Sequence, residues 1–161
     1  MHKHIDPIAR FMQEHDEALV QLSSLNKATR SLAENGFSQD AYKKVQLALE
    51  FIEEEVSVHN KSEEEALFPV LERYVEGPTR IMRDDHKDLK KGFARLRTAV
   101  GRVGRKKKDK KAAEDLAAIS KTIVQRFVNH IHKENHILFP LVQKFLTKDA
   151  LREVARRMLQ H

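Results

Sequence analysis

Apolar residues recur along this chain at steps of three and four, the signature of amphipathic helices with one buried stripe. The first stripe reads Ile8, Phe11, His15, Ala18, Leu22, Leu25, Thr29, Leu32, and the second Val45, Ala48, Ile52, Val56, His59, Glu63. A third runs Met82, His86, Leu89, Phe93, Leu96, Val100, Val103, and a fourth Leu116, Ile119, Ile123, Phe127, His130, Glu134. Breaks fall at Asn35-Gly36, at Gly77-Pro78 and across the Gly101–Lys111 stretch. Short connections favour antiparallel neighbours, so the pattern predicts an all-α, up-down-up-down four-helix bundle. A fifth amphipathic piece, with Leu151, Val154, Ala155, Met158 and Leu159, predicts a short helix over about 148–160 packed across one end.

The chain also repeats itself. A shift of 71 residues puts His15 on His86, His59 on His130, Glu63 on Glu134 and Pro7 on Pro78. It also puts Leu67-Phe68-Pro69 on Leu138-Phe139-Pro140. Each half reads His, a long gap, then His-x-x-x-Glu-x-x-x-Leu-Phe-Pro. Residues 1–161 are therefore read as a single domain, with halves over about 4–74 and 78–146.

Six polar residues occupy slots that the helical period assigns to the interior: His15, His59, Glu63, His86, His130 and Glu134. Residues at i and i+4 share a helix face, so His59 and Glu63 point together, as do His130 and Glu134. An unpaired buried carboxylate costs several kcal/mol, and two close together are worse unless protons or cations neutralise them. Four imidazoles and two carboxylates from four helices form a ligand set for two metal ions, an arrangement that bundle cores can hold. Under a pseudo-twofold, Glu63 and Glu134 face each other and bridge both metals, and two histidines complete each. One would come from the first or third helix and one from the second or fourth; the pairing stays open. About four protein donors per metal leave room for a bridging oxo or hydroxo group and an open position. Such an N/O site suits non-haem iron, and zinc or manganese fit the same donors.

Cysteine is absent, which excludes disulfides, thiolate metal sites and cysteine nucleophiles. The net charge of +6 arises largely from Arg102 to Lys111, where seven Lys/Arg stand against one Asp. With no interleaved aromatics and no nucleic-acid motif, this run reads as a solvated interhelix loop. No apolar run approaches the ~18 residues of a membrane span, and the first residues lack a secretory apolar stretch, so a cytoplasmic location is expected. His132 and His136 also stand at i, i+4, but His132 lies about 200° round the helix from His130 and should face outward. His2, His4 and His161 are expected in disordered termini. Glu64, Glu65, Asp85 and Asp88 flank the six; a solvated charged face is the expected role, with support of ligand imidazoles as the alternative.

His15, His59-x-x-x-Glu63, His86, His130-x-x-x-Glu134 and the two Leu-Phe-Pro tripeptides resemble the hemerythrin-like (HHE cation-binding) domain family over about residues 4–146. The resemblance implies two non-haem iron ions, with the four histidines as terminal ligands and the two glutamates as bridges. Oxygen-carrying hemerythrins have a further ligand histidine four residues after the first one on the third helix, where this chain has Lys90. They also have an Asp at longer spacing where Glu134 stands. With four histidines, the chain is more similar to iron-centre repair proteins and other bacterial hemerythrin-like domains. It lacks the Cys-bearing N-terminal module of repair proteins, which argues against repair. The more symmetric site, with both metals similarly open, argues against reversible oxygen carriage. The expectation is a protein that binds or senses oxygen, nitric oxide or iron itself. The alternatives are a redox enzyme acting on peroxide or another small oxidant, and a bundle in which metal is only structural.

Overall fold

Asp6 starts the first helix: its carboxylate accepts the N–H groups of Ile8 at 3.0 Å and Ala9 at 3.3 Å. Pro7 follows at the first helical position, where a missing N–H loses nothing. Helix α1 (Pro7–Asn35) then runs to Gly36, whose φ of 85° turns the chain where a side chain would be strained. Ser38 caps α2, which spans residues 39–71, and Gly77 (φ 109°) followed by Pro78 opens α3 (Pro78–Arg105). Asp109 caps α4, residues 110–145, and Thr147 caps α5 (Lys148–Met158). The computed structural model describes residues 6–160; among these every regular element is helical, in five helices, with no strand. None of these helices is long and apolar enough to cross a membrane. The expectations for His2, His4 and His161 lie outside the described residues.

Helices α2 and α4 are not regular throughout. Each contains a π-helical turn, Glu63–Leu67 in one and Glu134–Leu138 in the other, 71 residues apart. Proline lacks a donor and crowds the carbonyl four residues back, which loosens the ladder just ahead of Pro69 and Pro140. There the N–H of Phe68 reaches back five residues to the Glu63 carbonyl, and that of Phe139 to the Glu134 carbonyl. The repeated Leu-Phe-Pro therefore writes a π turn at the same place in each half, directly after each buried glutamate. Helix α2 has a further π turn, Ile52–Val56, without a counterpart in α4.

Helix α1 packs most extensively on α2 and α4, and α3 on α4. The interior divides into two apolar clusters. One holds Leu22, Leu25, Val45, Ile52, Leu96, Leu116 and Phe127; the other holds Ile8, Phe11, Leu67, Phe68, Met82, Leu138 and Phe139. Helix α5 belongs to the second, burying Ala150, Val154 and Met158 against the Glu63–Leu67 turn and α1.

The four stripes are buried as the period predicts, except that Phe93 and Ile119 are only partly covered. Two details differ. Leu159 lies outside α5 and is 70 % exposed, because the buried face ends at Met158. The connection between α3 and α4 is also tighter than Gly101–Lys111: α3 continues through Gly101 and Gly104 to Arg105. Gly104 is tolerated in the helix because Tyr42 packs directly over it, where a methyl group would collide with the Tyr42 hydroxyl. That hydroxyl donates to the Val100 carbonyl at 3.0 Å. Much of the basic run therefore sits on helix ends, and part of it is paired. Arg102 meets Asp115 at 3.1 Å and Asp109 at 3.6 Å, and Lys111 meets Asp115 at 3.0 Å.

Candidate metal centre

Between the two apolar clusters lies a polar layer. His15 follows Phe11 on α1, His86 follows Met82 on α3, and the π turns of α2 and α4 begin at Glu63 and Glu134. All six sequence-derived residues are buried there, both glutamates completely. Their donor atoms fall into two groups, each within 4.8 Å: His15, His59, Glu63 and Glu134, and Glu63, His86, His130 and Glu134. Both glutamates belong to both groups. Sequence left the histidine pairing open; the geometry groups His15 with His59 and His86 with His130.

The separations are those of a shared cluster. His15 Nε2 stands 2.8 Å from Glu134 Oε1, and His59 Nε2 stands 3.1 Å from Glu63 Oε1. His86 Nε2 lies 3.4 Å from Glu63 Oε1, and His130 Nε2 lies 3.4 Å from Glu134 Oε1. The Nε2 atoms of His86 and His130 are 3.1 Å apart.

Each imidazole is held from its other side. His15 Nδ1 lies 2.7 Å from Asn135 Oδ1, His59 Nδ1 3.0 Å from Glu14 Oε1, His86 Nδ1 3.0 Å from Glu64 Oε1, and His130 Nδ1 3.1 Å from Asp85 Oδ2. In every case an oxygen stands where it can accept from Nδ1–H, and Nε2 is turned toward the polar centre. That holds ring orientation, as metal-ligating histidines require. Phenylalanines from the Leu-Phe-Pro tripeptides set the ring planes. Phe68 stacks on His86 with centroids 5.9 Å apart, and Phe139 on His15 at 5.5 Å.

The charge balance follows from this packing. Burial works against the His59 and His130 imidazoliums, yet the surrounding carboxylates prevail. His59 is raised well above its ordinary range, chiefly by Glu63, and His130 is pushed up to about 9 by Glu134, Glu63 and Asp85. Burial alone would raise the Glu134 carboxyl, but Glu63, His130, His15 and His59 hold it well below the usual range. The layer thus favours positive charge at its centre. Four buried atoms still lack a hydrogen-bond partner: His59 Nε2, Glu63 Oε1 and Oε2, and Glu134 Oε2. Buried polar atoms left in this way need an explanation. Here all are candidate metal donors, and metal ions would satisfy them together. The donor set therefore fits a two-metal centre.

Comparison with known families decides the relationship. A profile of the hemerythrin HHE cation binding domain matches residues 6–142, and a second match covers 77–161. The chain belongs to that hemerythrin family. The second match starts 71 residues after the first, the interval that separates His15 from His86. No curated protein matched the chain.

Within this hemerythrin domain, Lys90 is exposed, away from the polar layer. His132 and His136 are exposed on α4, their rings stacked with centroids 5.7 Å apart. Of the flanking acids, Glu64 and Asp85 support imidazoles and are not simply a solvated face. Glu14 and Asn135 play the same part but were not singled out from sequence. The repeat could have found them, since the 71-residue shift puts Glu14 on Asp85 and Glu64 on Asn135. A cavity of about 20 Å³ abuts the cluster on the α1/α2 side, lined by His15, His59, His130 and Glu134 but not by His86. The surroundings of the two donor groups differ in this respect.

Proposed function

We propose that this chain is a non-haem di-iron hemerythrin-like protein that binds or senses a small ligand such as oxygen or nitric oxide, or iron itself. In this reading, one domain spans residues 1–161 as an up-down-up-down bundle. The two apolar clusters support that topology. Helices α1 and α3 begin in the cluster of Ile8 and Met82 and run into that of Leu25 and Leu96, whereas α2 and α4 run the other way. His15 and His59 would hold one metal, His86 and His130 the other, and Glu63 and Glu134 would bridge. The carrying observation is that two four-donor groups share both glutamates.

Iron in such an N/O donor set, with an open position, supplies redox-active Lewis-acid chemistry toward small oxygen or nitrogen species. The protein's own residues decide what reaches it. Phe11, Phe68, Phe139 and Phe127 keep the surroundings apolar, and the 20 Å³ cavity has room for about one water-sized molecule. A diatomic ligand fits that space.

Protein purified anaerobically from iron-replete cells is expected to carry about two metal ions per chain, as a two-metal centre requires. Its absorption should change on adding azide or nitric oxide. Elemental analysis and titration spectra check this; a chain free of metal under those conditions, and unable to take any up, overturns the proposal.

The Nδ1 partners give a second expectation. Glu14→Leu and Glu64→Leu keep about the side-chain bulk but remove the oxygen that accepts from an imidazole. Each should weaken metal affinity about 10–100-fold with helicity unchanged, the usual consequence of losing an outer partner. Competition with a chelating indicator would measure it; unaltered affinity in both variants would show that these carboxylates do not tune the ligands.

A further inference from the structure

The two faces of the polar layer differ in charge, one acidic and the other balanced. On the α1/α2 side, the cavity beside the cluster is reached past Glu14, Glu17 and Glu55. Glu17 and Glu55 are exposed and Glu14 is half-buried, so a single cavity links solvent-facing carboxylates with the fully buried Glu134. Its walls are apolar, from Ala18, Phe51, Val56 and Phe127. Inside it stands His59, 6 % exposed, whose Nε2 has no hydrogen-bond partner. At this rim Arg10 lies 4.0 Å from Glu14, and Gln13 donates to Glu17 at 3.5 Å.

The repeat supplies an internal comparison. A cleft on the α3/α4 side is lined by Asp85, Asp88, Leu89, Arg126, Asn129, His130 and Lys133. Shifted by 71, Asp85 and Asp88 occupy the places of Glu14 and Glu17, but Arg126 stands where Glu55 does and Lys133 where Ser62 does. Lys133 also pairs with Asp85 at 3.1 Å. This cleft touches only His130 among the six. The backbone differs in the same region. The π turn Ile52–Val56 exists only in α2, and its residue Val56 and the adjacent Phe51 wall the cavity, whereas residues 123–127 of α4 are regular helix. A π turn widens the helix locally, and such turns gather at functional sites.

From these features we infer that the α1/α2 side is the port through which divalent cations load the centre, with Glu17 and Glu55 drawing the ion in and His59 receiving it first. Resting on the two-metal reading above, the inference adds the route. Three carboxylates around a narrow apolar-walled mouth focus the field and raise the local cation concentration. At the opposite cleft, Arg126 and Lys133 balance Asp85 and Asp88, so no such field draws a cation toward His130.

The test is stopped-flow absorption of metal-free protein mixed with cobalt(II) at low ionic strength. The double variant Glu17→Gln/Glu55→Gln should load about tenfold more slowly, within the range that electrostatic focusing supplies, and lose most of its salt dependence. Final cobalt per chain should be unchanged, because neither residue is a ligand. Glu55→Arg, copying the opposite cleft, should load more slowly still. Asp88→Asn, on the opposite face, should load at the parent rate. All three lie on the surface, and melting curves verify that they fold. Parent-like rates in the double variant and in Glu55→Arg, with normal final cobalt, overturn the port alone. Equal slowing by Asp88→Asn does the same. A parent protein that takes up no cobalt overturns the two-metal reading, and the port with it.

Discussion

Glu63→Ala is expected to reduce bound metal from about two ions per chain to well under one, whereas His15→Ala should retain about one. The difference follows from membership. Glu63 supplies a donor to both groups, while His15 supplies one to a single group. Without Glu63, each group falls to three donors, and two cations would face each other across Glu134 alone. Their mutual repulsion in a dry interior is then poorly compensated. Without His15, the group of Glu63, His86, His130 and Glu134 is intact. Glu134→Ala should behave like Glu63→Ala, and His86→Ala like His15→Ala. Elemental analysis after equal exposure to metal and gel filtration gives the ratio. If the alanine variants of Glu63 and His15 lost the same amount, or if Glu63→Ala kept both ions, the shared-bridge arrangement would be wrong.

The helical stripes and the six central residues were legible because each obeys a single period. His15, His59, His86 and His130 stand in apolar stripes, and nothing but burial fits those slots. The 71-residue interval was equally plain, since it matched chemistry as well as residue type. Three features escaped. The π turns were hidden because a five-residue backbone reach leaves no change in side-chain pattern; only Pro69 and Pro140, read as breakers of the preceding ladder, hint at them. Glu14 and Asn135 carry no sequence signal of their own because each sits one position from a residue of the polar layer and serves an imidazole on another helix. Glu14 lies beside His15 but accepts from His59, and Asn135 lies beside Glu134 but accepts from His15. Local sequence cannot display a partner 45 or 120 positions away. The asymmetry of the two faces escaped for a related reason. Glu55 and Arg126 are unremarkable surface charges until the repeat places them at equivalent mouths.

The π turns and the buried glutamates are linked by one physical constraint. A carboxylate in a regular helix points where its α-helical slot directs it, and Glu63 and Glu134 must both reach the same point between four helices. Opening the ladder directly after each glutamate, with the Phe68 and Phe139 N–H groups bonding back to the Glu63 and Glu134 carbonyls, keeps those backbone acceptors satisfied. Phe68 and Phe139 then cover His86 and His15. The tripeptide thus serves the site twice, through the backbone and through a ring.

Chelator-treated parent protein is expected to melt more than about 10 °C below the metal-loaded form, whereas a His59→Leu/Glu63→Leu chain should melt above the chelator-treated parent and ignore added metal. Glu63 is fully buried and pairs with the buried His59 at 3.1 Å, so the double variant removes both charges of the pair together. Replacing a buried ion pair with well-packed apolar side chains commonly stabilises by about 1–4 kcal/mol. At roughly 2–4 °C per kcal/mol for a chain of this size, the double variant should gain several degrees over the metal-free parent. Metal at about a thousand times its dissociation constant contributes roughly 4 kcal/mol per site, so the loaded parent should exceed both. Scanning calorimetry of the four samples, two chains with and without metal, gives the order directly. A double leucine variant less stable than the chelator-treated parent would mean that the His59–Glu63 pair supports the fold by itself, and the polar layer would then need no cation to account for it.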